Sequence, residues 1–249
     1  MSLFGENIIL AFLILLTAAL YASVGQAGAS GYLALMGLAG LNPSVMKPTA
    51  LALNIVVALI ATVQLGRAGL FRWRNFYPFG VLGFPFSLIG GALNLPGHIY
   101  YPIVGALLLL AAFQLVRSTR QKADYKPTAT KPPFLASLLA GAGIGLVSGV
   151  TGTGGGIFLA PVILIMNWVE VRRAAAVTAA YNLLNSIAAL AGAYATLRSL
   201  PSALPWWLIA AAIGGLFGAT FGNRYLPVKA LRYVLAGILA ISGCKLMLS

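Results

Sequence analysis

Thr178, Asn182 and Asn185 stand at i, i+4 and i+7, so on a helix one hydroxyl and two amides form a single stripe with Tyr181 beside it. Shortly before them the chain reads VSGVTGTGGGIFLAP, residues 147 to 161, where five glycines and two threonines interrupt hydrophobic sequence. These groups offer hydroxyl, amide and peptide N–H donors and no formal charge. Glycine admits positive φ and lets a ligand approach the backbone closely. A helix restarting after such a break presents free N–H groups and the positive end of its dipole, a combination that binds anions. Bond-breaking chemistry has no comparable seat: the sequence shows no nucleophile–base pair and no His/Cys/Asp cluster. Nor is there a G-x-x-x-x-G-K-[ST] or G-x-G-x-x-G nucleotide loop.

The pattern occurs twice. SVGQAGASGYLALM (23 to 36) lies over SGVTGTGGGIFLAP (148 to 161), pairing Ser23 with Ser148 and Gly31 with Gly156. Downstream, TALALN (49 to 54) lies over VTAAYN (177 to 182), pairing Asn54 with Asn182, and LIGGALN (88 to 94) resembles AIGGLFG (212 to 218). Ordered matches of this kind indicate an internal duplication, a common transporter architecture. They place the two asparagines symmetrically about the two breaks. The candidate ligand-lining residues are therefore Gln26, Gly28, Ser30, Gly31 and Asn54 from the first half, with Thr151, Thr153, Gly154, Gly155, Gly156, Tyr181 and Asn182 from the second.

These residues must be positioned inside a bilayer. The chain is 60% apolar and 8% charged over 249 residues, which leaves too little polar surface for a water-soluble domain. The fold expected is all-α and polytopic, with two repeats: residues 1–117, a connecting cytoplasmic loop at 118–133, and residues 134–249. The first apolar run, Leu3 to Leu20, lacks a basic leader and is expected to be retained. Spans are expected at about 48–66, 76–94, 99–117, 174–196, 204–222 and 229–248, each near the roughly 20 residues a bilayer needs. The broken segments, Leu3 to Leu41 and Phe134 to Trp168, are too long for one crossing. If each crossed once, the sixteen Lys and Arg would divide ten against six between the two sides. If each is a re-entrant hairpin, the halves are inverted and only Lys47, Arg198 and Lys245 lie apart from the other thirteen. The second division fits the positive-inside rule, which favours inverted repeats with both termini outside.

Several residues have plainer readings. Gly141, Gly145 and Gly149 recur at a spacing that serves close helix packing, and are assigned to it. Lys47 reads first as snorkelling to headgroups and second as a lure for anions. The formal net charge of +13 belongs to interhelical loops, with no basic helix or aromatic–basic module for nucleic acid. Glu6, Asp124 and Glu170 lie at segment ends or in the loop, which leaves no mid-membrane carboxylate for a proton relay or cation site. His98 reads as interfacial, and Cys244 is alone, so neither a disulfide nor a cofactor is expected.

Through SGVTGTGGGIFLAPVI, its weaker copy SVGQAGASGYLALM, and the following ALALN and AAYN segments, the chain resembles the TauE/SafE family of sulfite and organosulfonate exporters over residues 7 to 248. The resemblance implies a bacterial inner-membrane transporter of small sulfur-containing anions, with both glycine regions on the substrate pathway. Gln26, Ala27, Ala29 and Ser30 stand where the family often has more glycine, so Gln26 and Ser30 are candidate side-chain donors of this protein's own. The expected mechanism is alternating access around a midplane site. An interior-negative potential of ~100 mV favours exit of one negative charge by about 2.3 kcal/mol, so efflux needs no coupling ion. A selective anion channel, or a membrane partner handing sulfur anions to a soluble enzyme, are the rival readings. Import and oligomeric state, including a homo-oligomer, stay open.

Overall fold

The computed structural model describes residues 3–23, 25–120, 133–194, 200–225 and 228–248. Within them the chain is helical, in two successions of five: α1 (Leu3–Ser23), α2 (Ala29–Leu38), α3 (Pro43–Arg67), α4 (Trp73–Ala92) and α5 (Gly97–Arg120), then α6 (Phe134–Thr151), α7 (Gly156–Ile165), α8 (Val171–Gly192), α9 (Leu204–Tyr225) and α10 (Val228–Met247). The second helix of each succession has ten residues, half of what a bilayer requires. Among the described residues, five helices are long and apolar enough to cross a membrane by length and composition. Large side chains face outward to lipid, Phe12, Phe113 and Leu139 among them. The chain is a multi-pass membrane protein.

Glycine contacts fix the helix directions. Gly141, Gly145 and Gly149 of α6 lie against the backbones of Phe79, Gly83 and Ser87 of α4, so the two helices run parallel in fixed register. A methyl group at any of the three would strike main chain, which is the packing role their spacing predicted. In the same way Gly214 and Gly218 of α9 lie on Leu15 and Ala19 of α1. Helix α9 is also parallel to α3, with Gly215 beside Val57 and Thr220 within reach of Gln64. Hence α1 and α3 point the same way, and α2 between them turns the chain back. By the same argument α6, α4 and α8 are parallel, with Gly80 beside Leu184 and Gly192 against Leu88, so α7 also returns.

Lys47 near the start of α3 bonds the last carbonyls of α4, which makes those two helices antiparallel. It follows that α1 and α3 run opposite to α6 and α8. Each broken segment is thus a re-entrant hairpin, one long helix and one short. Several boundaries differ from expectation by a turn or so, and two of them bear on the architecture. Helix α3 starts at Pro43 rather than near 48, because Pro43 occupies the first turn, where a missing N–H costs nothing, and the helix continues through Pro48. Helix α5 continues to Arg120, into the stretch assigned to the connecting loop, of which 121–132 lie outside the described residues.

Candidate functional site

Both short helices begin at a glycine in the left-handed region, Gly28 (φ 93°) before α2 and Gly155 (φ 83°) before α7, so neither N-cap residue has a side chain to cap its own helix. Any residue with a Cβ is strained there by ~1–2 kcal/mol, so glycine is what allows the chain to turn and present its first N–H groups. The Ala29 N–H donates to Asn54 Oδ1 at 3.0 Å. Asn54 Nδ2 in turn donates to Asn182 Oδ1 at 3.0 Å and to Ser186 Oγ at 2.7 Å. Gly154 lies on this group so closely that a methyl would collide with Asn182, Asn54 and Ser186, and Gly156 lies against the Asn182 side chain. The two helix starts therefore meet through one uncharged polar knot made by α3 and α8, buried from solvent throughout.

The other residues singled out in the sequence divide into groups. Thr151 Oγ1 bonds the Val147 carbonyl at 2.7 Å and stands 3.1 Å from Thr153 Oγ1, so both threonines sit at the second break beside the knot. Ser30 Oγ is 2.8 Å from the Tyr21 hydroxyl, tying α2 to α1. Gly31 packs on Thr17 and Tyr21. Tyr181 is fully buried and donates to the Gly141 carbonyl at 2.7 Å, which spends its hydroxyl on holding α8 to α6 in this conformation. Lys47 does not snorkel. It is 5% exposed, and its Nζ donates to the carbonyls of Gly90 (3.1 Å), Gly91 (2.8 Å) and Leu93 (2.9 Å) at the end of α4.

A cavity of about 280 Å³ reaches the first break, lined by Gly25, Gln26, Gln114, Ile157, Pro161 and Thr178 among others. It has several times the room a single water needs. Thr178 is also on its wall, and its Oγ1 is buried without a hydrogen-bond partner. Of the residues named from the sequence, Gln26 lines this cavity, whereas Asn54, Asn182, Thr151 and Thr153 do not. Toward the opposite end the path from this cavity is blocked by packing. Ser242 of α10 donates to the Ala34 carbonyl at 2.9 Å, Gly37 lies on Leu246, and the Tyr100 hydroxyl donates to the Thr151 carbonyl at 2.9 Å.

Sequence reasoning missed three members: Ser186, Gln114 and Thr178. Ser186 is one turn beyond Asn182 on the same stripe, so its spacing was a usable signal. Thr178 was on that stripe but not among the candidates. Nothing in the spacing of Gln114 distinguishes it from a lipid-edge glutamine.

A family model described as "Sulfite exporter TauE/SafE" matches residues 10–246. The chain is also 52% identical over 243 residues to the "Probable membrane transporter protein y4hK" of Sinorhizobium fredii (strain NBRC 101917 / NGR234), covering 97% of this chain and 98% of that protein. No solved structure matches the chain.

Proposed function

The chain belongs to the TauE/SafE family and is a membrane transporter, and from that premise we propose that it exports small sulfur-containing anions, sulfite or short organosulfonates, across the bacterial inner membrane by alternating access. The observation that carries this reading is the meeting of two glycine-started helices at the Asn54–Asn182 knot, where the first N–H of α2 is held only by the Asn54 amide, beside a cavity that reaches the first break from one end. Helix starts offer oriented N–H donors and positive dipole ends without the desolvation cost of a buried formal charge. The inverted directions of α1–α5 and α6–α10 support reading residues 1–117 and 134–249 as inverted repeats with the site at their junction.

An anion entering this cavity meets the Gln26 amide first. The peptide N–H groups around Gly28 to Gly31 and Gly154 to Gly156 lie deeper, with Ser30, Thr151, Thr153, Asn54 and Asn182 as further donors. Asn54 Oδ1 occupies the Ala29 N–H until an anion displaces it. The cavity lies at the end of the molecule where α8 starts, the end that carries thirteen of the sixteen Lys and Arg in the inverted arrangement, and therefore faces the cytoplasm. Closure at the opposite end supports a carrier over an open channel. The inside-negative potential then drives exit.

Flux of radiolabelled sulfite and short sulfonates from proteoliposomes tests the reading. Wild type should show saturable flux stimulated by counterflow, with at least a tenfold loss in Asn182→Ala and a smaller loss in Thr153→Val. Linear, counterflow-insensitive currents would instead indicate a channel. Normal transport by both variants would move the site elsewhere.

A further inference from the structure

A second cavity, about 290 Å³, lies on the other side of the α6–α7 break, at the end of the molecule where α3 starts. Its walls include Ser44, Lys47, Asn94, Tyr100 and Val150. Lys47 is the feature that sets it apart. A lysine with 5% exposure near the membrane edge has a short route to headgroups, yet this one is turned inward. All three of its hydrogen-bond donors are taken by the carbonyls of Gly90, Gly91 and Leu93. Those carbonyls satisfy the donors and, as the negative end of the α4 dipole, offset roughly half a charge, so a reduced but still positive field acts on the adjoining cavity.

The backbone of the second break touches the same residue, since Gly152 lies against the Lys47 main chain and stem. Tyr100, also on the cavity wall, holds the carbonyl of Thr151. Lys47 is therefore one layer beyond Thr151 and Thr153 on the path away from Gln26. Among the described residues, the Gln26 cavity, in contrast, is lined by no lysine, arginine or histidine.

We infer that the Lys47 cavity is a second anion-binding site, the exit site, where a sulfonate or sulfite that has passed the Asn54–Asn182 knot is held by the charge of the lysine before release. This rests on the export reading. The midplane site binds without formal charge and so releases readily; the formal charge sits where the anion is drawn off the knot. The fixed cation also makes this mouth attractive to external anions, so export is expected to be inhibited by external substrate.

The test uses the full chain with Cys244→Ser, which removes the exposed native thiol, and Asn94→Cys at the exposed rim of the cavity. Reconstituted protein is labelled from outside with two impermeant thiosulfonates, one bearing a sulfonate and one a quaternary ammonium. The anionic reagent should react faster relative to the cationic one by on the order of tenfold, a ratio that Lys47→Met abolishes and Lys47→Arg retains. Methanesulfonate, which does not attack thiosulfonates, should slow labelling in the lysine protein and not in Lys47→Met. A ratio indifferent to Lys47→Met, without methanesulfonate protection, overturns the proposal. If Lys47→Met does not reconstitute, protection by methanesulfonate in the Asn94→Cys protein decides alone. Protection without flux in wild type would remove the export reading and keep the site; flux with charge-blind labelling would do the reverse.

Discussion

The two re-entrant hairpins are built alike and packed differently. In each, a long helix ends at a glycine break and a ten-residue helix returns beside an asparagine-bearing span. Helix α2 lies flush on α10, with Gly37 seating Leu246 and Ser242 bonding Ala34. Helix α7, its counterpart, leaves the cavity of Gln26 between itself and α5. The glycines differ as well, within the first break as much as between the two: Gly154 has the asparagine knot against it and Gly31 has Thr17 and Tyr21, whereas at Gly25 a methyl would meet only Ala175 Cβ at 3.4 Å. The closely packed glycines hold the geometry of the breaks, and Gly25 supplies only the turn.

The strongest test of that difference is a pair of glycine substitutions. Gly154→Ala should cost about 3–5 kcal/mol, combining left-handed strain with overpacking, and abolish transport. Gly25→Ala has the strain without the collision and should cost about 1–2 kcal/mol while keeping much of the flux. Melting curves in detergent together with flux would check both. Equal effects of the two changes would show that the breaks are interchangeable.

Next in size come the asparagines, which recur at matching positions but do unequal work. Asn54→Ala strands the Ala29 N–H, Asn182 Oδ1 and Ser186 at once, whereas Asn182→Ala leaves Asn54 bonded to Ser186 and Ala29. With hydrogen bonds inside membranes averaging ~0.6 kcal/mol and reaching ~1.7, Asn54→Ala should destabilise by about 2 kcal/mol and Asn182→Ala by about 1. Thermal melts of the two variants would rank them. The reverse order would mean that Asn182 organises the knot.

Much of this was readable beforehand. The glycine runs announced the breaks because several adjacent glycines are too costly for helix packing alone, and the asparagines announced the knot because a buried amide needs partners. Charge placement pointed to re-entrant hairpins, and the parallel registers of α1 with α9 and α6 with α4 agree with that. Lys47 was misjudged because sequence shows how near a lysine lies to the membrane edge and not where the carbonyls of another helix end. The place of the Gln26 cavity was out of reach for a different reason. Two similar halves can exchange roles, so which end is closed is a property of the conformation captured rather than of residue types.

The smallest expected effects concern the closed end and bear on the comparison most directly. Tyr100→Phe removes one hydroxyl bond to the Thr151 carbonyl without changing the ring's packing. At about 1 kcal/mol this should raise the population open at the Lys47 end about fivefold. Ser242→Ala removes the bond from α10 to Ala34. At ~0.6 kcal/mol the shift should be about threefold. Both should speed external labelling by a neutral reagent at Thr151→Cys, a position buried in this conformation, and slow labelling at Gln26→Cys from the opposite side, since opening one end requires closing the other. If external labelling rises while Gln26→Cys is unaffected, the two ends open independently. The difference between α2 and α7 would then be a fixed asymmetry of the protein rather than one half of a cycle.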